Sequence, residues 1–333
     1  MQKLYIIYLV VLVSVLGILL PACGSKANNK PVIASEELKL QLPNTVAPSG
    51  VVFTSELNTG DISFPAKLKA YRVVVPEVSE ASVRELGQRL GLQGASVTTN
   101  ITGMKFIGIM DKVGSGTRNL TVFTESGAIQ YQDKTQPDQL YPDTPPILPD
   151  EAKAKRIAYD FLKQSGILPE GYESLDAVAG KIEVTAGGTS AIINGNTGEK
   201  ESQISHLLVT FPYTIDGYPA AGSGVKHSIR LGDRGKILEI FWVNRKMSLL
   251  GEYSLVTWTE ALRRLAAGGG SFTVDAMCQI VVVKEVSLAY WMEPVTDAQQ
   301  YILPVYEFRG IYHSKVGGDN DFIGWVPALD TGT

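Results

Sequence analysis

Two cysteines, three histidines and no basic tract narrow what this 333-residue chain can be. The cysteines are Cys23 and Cys278. With Cys23 assigned to lipidation below, no internal disulfide is left to form, so apolar cores must hold the fold. Cys278, in the strand-like run AMCQIVVVKEV, reads as a small buried apolar residue, with a reactive thiol as the lesser reading. The formal charge is −4, and without a basic tract nucleic acid is excluded as a natural partner. His206, His227 and His313 form no HExxH pattern and no pair spaced for a helical metal site. They read as surface or strand-end residues, although His206 and His227 could approach each other across paired strands. Asp319 and Asp321, in GGDNDF, hint at calcium, but the terminal glutamate of an EF-hand loop is missing and turns favour the same residues.

The N-terminus carries the clearest signal. Lys3 precedes an apolar run from Leu4 to Leu20, followed by Leu20-Pro21-Ala22-Cys23. A charged n-region, an apolar core and a small-residue break are the parts of a secretory signal. The break resembles the lipobox of bacterial lipoproteins, in which the cysteine is acylated and becomes the new N-terminus. An uncleaved signal anchor is the other reading, and both place the remainder outside the cytoplasm. Two or three acyl chains anchor a protein stably, each buried methylene contributing roughly 0.8 kcal/mol. Residues 1–22 are thus read as a signal peptide and 23–48 as a polar tether, holding the body roughly 25–30 Å from its anchor.

The remaining length suits about two domains. Asp133 to Glu151 contains five prolines and reads as a linker over 133–150, because proline fixes its own dihedral and disfavours helix before it. This divides the chain into an N-terminal domain, 49–132, and a C-terminal domain, 151–333. Three helices are expected. One has Ser79 as N-cap, a Val83, Leu86 and Leu90 face and an end at Gly91. The second has Asp150 near its start, an Ala154, Ile157, Ala158, Phe161 and Leu162 stripe, and an end at Gly166. The third opens on Thr257 with Glu260 and ends near Gly268. Each is followed by a strand-rich run broken by a short turn, at Gly127, Gly235 and Gly310 respectively. The expected class is α+β, with antiparallel sheets each covered by helices, two domains and internal helix-plus-strands repeats.

Thr214 to Ser228, TIDGYPAAGSGVKHS, tests for phosphate or nucleophile chemistry. Gly217 and Gly222 have P-loop spacing, but Ser223 follows where lysine is required, and no helix comes after to aim its amides at phosphate. Gly222-Ser223-Gly224 likewise lacks the spacing of a nucleophile elbow. The stretch reads as a turn between strands. Further on, Tyr290, Trp291, Tyr301, Tyr306, Phe308, Tyr312 and Trp325 make the C-terminal region aromatic. A core role is the better reading, and an exposed set would stack on sugars or grip a peptide.

The run VTFPYTIDGYPAAGSGVKHSIRLGDRGKILEI resembles the PepSY and thermolysin-propeptide domains in Asp216-Gly217, Tyr218-Pro219-Ala220, Gly222 and Asp233-Arg234-Gly235. The similar part covers about 150–245. Such domains are noncatalytic and are linked to peptidase inhibition or folding and to envelope regulation. No zinc-peptidase domain follows here, so a role of this kind would act on a separate partner. The expectation is a noncatalytic lipoprotein, lipidated at Cys23, that binds a protein or peptide through Tyr213, Asp216, Tyr218, Trp291, Tyr306 and Trp325, with no cofactor. A glycan or small-ligand receptor using the aromatic region is the alternative, and a hydrolase with an acidic pair invisible in sequence is a third.

Overall fold

The computed structural model describes residues 38, 40, 42–43, 50–57, 60, 62–93, 96–101, 103–135, 146–168, 172–193 and 200–331. The expected signal peptide, residues 1–22, and Cys23 lie outside them. All belong to one compact unit that runs from Ile33 to the end of the chain.

In chain order, β1 (Val52–Ser55) and β2 (Lys67–Val73) precede α1 (Glu80–Arg89), β3 (Ser96–Ile101), β4 (Met104–Val113), β5 (Gly116–Phe123) and β6 (Ile129–Lys134). Next come α2 (Glu151–Gln164), the short α3 (Leu175–Val178), β7 (Glu183–Ile193), β8 (Lys200–Thr210), β9 (Thr214–Ile215), β10 (Tyr218–Ala221), β11 (His227–Leu231) and β12 (Ile237–Trp242). The chain closes with β13 (Met247–Ser254), α4 (Trp258–Ala266), β14 (Ser271–Thr273), β15 (Cys278–Trp291), β16 (Tyr301–Ile302), β17 (Pro304–Ser314) and β18 (Gly318–Pro327).

The three long helices start where their capping residues place them. The Ser79, Asp150 and Thr257 side chains accept from the backbone N–H groups of Ser82, Lys153 and Glu260. Each satisfies a donor that the first helical turn leaves free. Gly91, Gly166 and Gly268 follow the ends with positive φ, the left-handed geometry of a helix stop. The faces expected on α1 and α2 are the ones that pack. Val83, Leu86 and Leu90 join Ala154, Ala158 and Leu162 in one core against the largest sheet. Ala261 and Leu265 of α4 enter a second core with Phe308, Phe322 and Val326.

Strands take 47% of the chain and helices 17%, so the molecule is sheet-rich and mostly antiparallel. The eight-stranded sheet has the order β3-β4-β5-β6-β12-β11-β8-β7. Its two halves each follow a helix, run inward in chain order, and join where β6 pairs antiparallel with β12, Ile129 opposite Trp242. This join corrects the expected domain division. Strand β6 ends inside the proline-rich boundary and pairs with a strand from the far side of it, so 133–150 does not separate two sheets. The seven-stranded sheet holds β14-β18-β17-β15-β10-β9, with β1 parallel to β15, and β13-β2-β16 form a small third sheet.

Two further expectations change. Leu38, at 1% exposure, packs with Ala70, Tyr253, Leu303 and Leu329, while Leu40 and Leu42 pack against Ala289 and Trp291. The expected tether therefore meets the body through Leu38, Leu40 and Leu42. Gly310 lies inside β17 and not in a turn. A Cβ there would stand 2.0 Å from the Val282 carbonyl oxygen, at a bulge in β15.

Candidate functional site

The β11–β12 hairpin sets the first pair of side chains. His227 and Trp242 are directly opposed in register, and facing residues on paired strands share one side of the sheet. Their rings stack at 4.2 Å and 6°. Tyr213 closes on the imidazole at 4.6 Å and Phe211 packs edge-on to the indole at 5.4 Å. The His227 Nε2–H donates to the Val243 carbonyl. That contact leaves Nδ1 as a bare acceptor, and this atom has no partner among the described residues. Burial lowers the His227 pKa to about 4 despite the opposing pull of the carbonyl.

Directly after β12, Val243, Asn244, Arg245 and Lys246 lead towards β13. Arg245 is 2% exposed. Its Nη1 donates to Gln299 Oε1 and its Nη2 to the carbonyls of Pro294 and Asp297, at 2.8 and 3.4 Å. The Gln299 Nε2 in turn donates to the carbonyls of Trp291 and Tyr301. A guanidinium held this way stays charged although burial lowers its pKa, because Glu293, Tyr213 and Asp297 push the other way. Arg245 Nε and the Tyr213 hydroxyl have no hydrogen-bond partner among the described residues. Burial raises the Tyr213 pKa to about 12, with Arg245 opposing.

Two cavities meet along this connection. The larger, about 770 Å³, is lined by Tyr213, Arg245, Lys181, Val178 and Met247, and by Val74, Asn244 and Lys246. The smaller, about 470 Å³, shares those last three residues and continues between the start of α1 and the β5–β6 turn. Backbone pairing of Val74 N–H with the Lys246 carbonyl, at 2.8 Å, forms the saddle between them. The smaller half is mainly apolar, with Val75, Pro76, Val78, Leu86 and Val122, and it also carries Glu77 and Arg89. The larger half is cationic, with Lys181, Arg245 and Lys246 and no carboxylate among the described residues that line it. Both volumes fall within the range of ordinary ligand clefts. The arrangement can hold an extended segment by apolar contact at one end and by charge at the other.

Of the six residues expected to contact a partner, only Tyr213 lines this trough. Asp216 and Tyr218 sit on the β9–β10 hairpin. Asp216 occupies its turn at φ 51°, accepts from the Tyr71 hydroxyl and pairs with Lys69 at 3.4 Å, while Tyr218 packs edge-on to Tyr290. The stretch is therefore a turn between strands. Trp291 and Tyr306 are each 2% exposed, which corrects their expected place on a binding surface: β15 and β17 turn them into the cores. Trp325 is half-buried, its indole donating to Glu307 at 2.8 Å. The aromatic C-terminal region thus supplies interior packing.

The histidines do not converge. The β8–β11 register pairs Leu231 with Leu207 and Ser228 with Thr210, which puts His206 and His227 at opposite ends of the pairing. His227 stands at a strand end, as expected, but inside the protein. His313 meets Asp319 at the exposed β17–β18 tip, and Asp321 lies opposite Ile311. Among the described residues, no three His, Cys, Asp or Glu side chains are grouped to hold a metal ion. Cys278 is buried, and burial raises its thiol pKa.

The residues that sequence reasoning passed over are Val74, Val75, Lys181, Arg245 and Lys246. The one local hint was Asn244-Arg245-Lys246 directly after the β-rich KILEIFWV, where a strand hands over to a loop. No family model matches the sequence, and no curated protein matches it. Among solved structures, the chain is similar to an uncharacterized protein from Eubacterium rectale ATCC 33656, with 11% identity, a TM-score of 0.44, and coverage of 84% of this chain and 88% of that one. A likeness that distant assigns neither fold nor function.

Proposed function

We propose that the protein is a noncatalytic lipoprotein, held outside the cytoplasm by acyl chains on Cys23, that binds a protein or peptide partner and so regulates a peptidase or another envelope process. The observation that carries this reading is the two-part trough along Val74 and Lys246. Its cationic and apolar halves adjoin, and Val75, 72% exposed, stands at its rim. A single extended segment satisfies both halves at once, as in other peptide grooves. The resemblance of the 209–240 region to propeptide-type domains supports the regulatory version.

The test places a photo-crosslinking amino acid at position 75, and separately at Val316 on the remote β17–β18 tip, in cells carrying Cys23 or Cys23→Ser. The expected result is one reproducible adduct from position 75 alone, found in the membrane fraction only with Cys23 intact. Equal capture from both positions, or none from well-expressed protein, would overturn the binding reading. Membrane association unaffected by Cys23→Ser would overturn the lipid anchor.

A further inference from the structure

The two halves of the trough differ in chemistry, and that difference specifies an occupant. We infer that the trough binds an extended acidic peptide segment, its carboxylates over Lys181, Lys246 and the floor formed by Tyr213 and Arg245, with an adjoining apolar side chain against Val75 and Leu86. The inference rests on the partner-binding reading above and commits it to one ligand chemistry.

Three observations carry it. First, the cationic half holds three positive side chains and, among the described residues that line it, no carboxylate. Lys181 and Lys246 form no ion pair among the described residues, whereas Arg89, on the apolar side, is already engaged by Glu85 at 2.6 Å and the Ser165 carbonyl at 3.0 Å. An anionic partner is favoured there, and a basic one would be repelled. Second, the floor has donor capacity that the protein does not use. Among the described residues, the Nε of the almost wholly buried Arg245 finds no acceptor, and neither does the Tyr213 hydroxyl beside the same cavity. Buried donors are nearly always paired, and a carboxylate oxygen is the strongest acceptor a peptide offers them. Third, the apolar half continues directly across the Val74–Lys246 backbone pair and presents Val74 and Val75, both exposed. At about 3.3 Å per extended residue, a few residues separate a carboxylate in one half from an apolar side chain in the other.

The probe is a fluorescein-labelled Glu-Glu-Gly-Ser-Leu-Leu peptide, followed by anisotropy against the intact protein body. It is compared with Lys-Lys-Gly-Ser-Leu-Leu, which reverses the charge, and Glu-Glu-Gly-Ser-Ser-Ser, which removes the apolar end. The glutamate-leucine peptide is expected to bind, more weakly at high salt, and each comparison peptide to bind about tenfold or more weakly. Lys181→Glu with Lys246→Glu, both at exposed positions, is expected to weaken binding about tenfold. Lys153→Glu with Lys163→Glu on α2 changes the net charge equally and is expected to leave binding within about twofold.

Equal binding of the lysine peptide, equal loss from the two double variants, or no binding of any peptide would overturn the inference. A partner captured in cells through position 75 by a segment without carboxylates would overturn the acidic chemistry and leave partner binding standing. Specific binding of the glutamate-leucine peptide without any capture in cells would support the chemistry and remove the broader reading.

Discussion

His227 is stacked flat on Trp242, covered by Tyr213 and, among the described residues, hydrogen-bonded through only one of its nitrogens. A second proton would place a charge in that layer with nothing to receive it. Its pKa in the fold, about 4, therefore lies below the value near 6.5 of an exposed imidazole. The unfolded chain then binds the extra proton first as pH falls, so this contribution is complete above about pH 6.5 and is lost progressively towards pH 4. The full effect is about 3 kcal/mol. His206, also lowered by burial and by Arg230, acts in the same direction. Replacing His227 by Phe keeps an aromatic ring on Trp242 and removes the proton site. Urea midpoints measured between pH 7 and pH 4.5 are expected to fall less steeply in His227→Phe than in the parent; parallel slopes would show that His227 does not carry this acid sensitivity. None of it was legible in the sequence. A histidine opening a strand looks the same whether its face meets water or an indole, and the residues that decide it come from two other stretches, Tyr213 before it and Trp242 and Val243 after it.

At the scale of elements, the sequence was readable wherever the deciding contacts were local. Caps at Ser79, Asp150 and Thr257 and stops at Gly91, Gly166 and Gly268 depend on atoms a few residues away, and all six fall where the pattern placed them. The glycine-rich hairpin was readable only in part. Asp216 and Gly217, with φ of 51° and 82°, make the turn, but Gly222 and Gly224 serve a contact far along the chain. Gly224 donates its N–H to the Met292 carbonyl at 3.1 Å, and a Cβ on it would lie 1.9 Å from the Glu293 carbonyl oxygen. The hairpin can lie against the end of β15 only because that carbon is missing. Gly224→Ala is thus expected to destabilise the protein by about 2 kcal/mol or more, since backbone on both sides must move. Gly217→Ala meets open space and bears only the left-handed backbone penalty of about 1–2 kcal/mol. Chemical denaturation of the two variants distinguishes these cases; equal losses would mean that the approach to β15 contributes nothing.

For the molecule as a whole, the proline-rich segment was a true local signal that led to a false global one. Proline lacks a backbone donor and disfavours helix before it, and residues 146–150 carry neither helix nor strand. Local chemistry cannot reveal that the strands on either side pair with each other. Ile129, Tyr131 and Gln132 face Trp242, Ile240 and Glu239 across the join, and Gln132 donates to Glu239 at 2.9 Å. The core beneath draws Val83, Leu86 and Leu120 from one side of the segment and Ala158, Leu162 and Ile229 from the other. Strands β1 and β2 depend equally on later chain, through β15 and through β13 and β16. The trough inherits this dependence, because Val74 and Val75 come from before the segment and Lys181, Arg245 and Lys246 from after it. A fragment ending at residue 135 would leave β6 as a bare edge and its half of the core open to water. It is expected to give a poorly dispersed amide NMR spectrum and no cooperative unfolding, while adding the complementary fragment from residue 146 onward restores both. A well-dispersed spectrum from the first fragment alone would re-establish two separate domains, and would turn the trough into a boundary between bodies that fold independently.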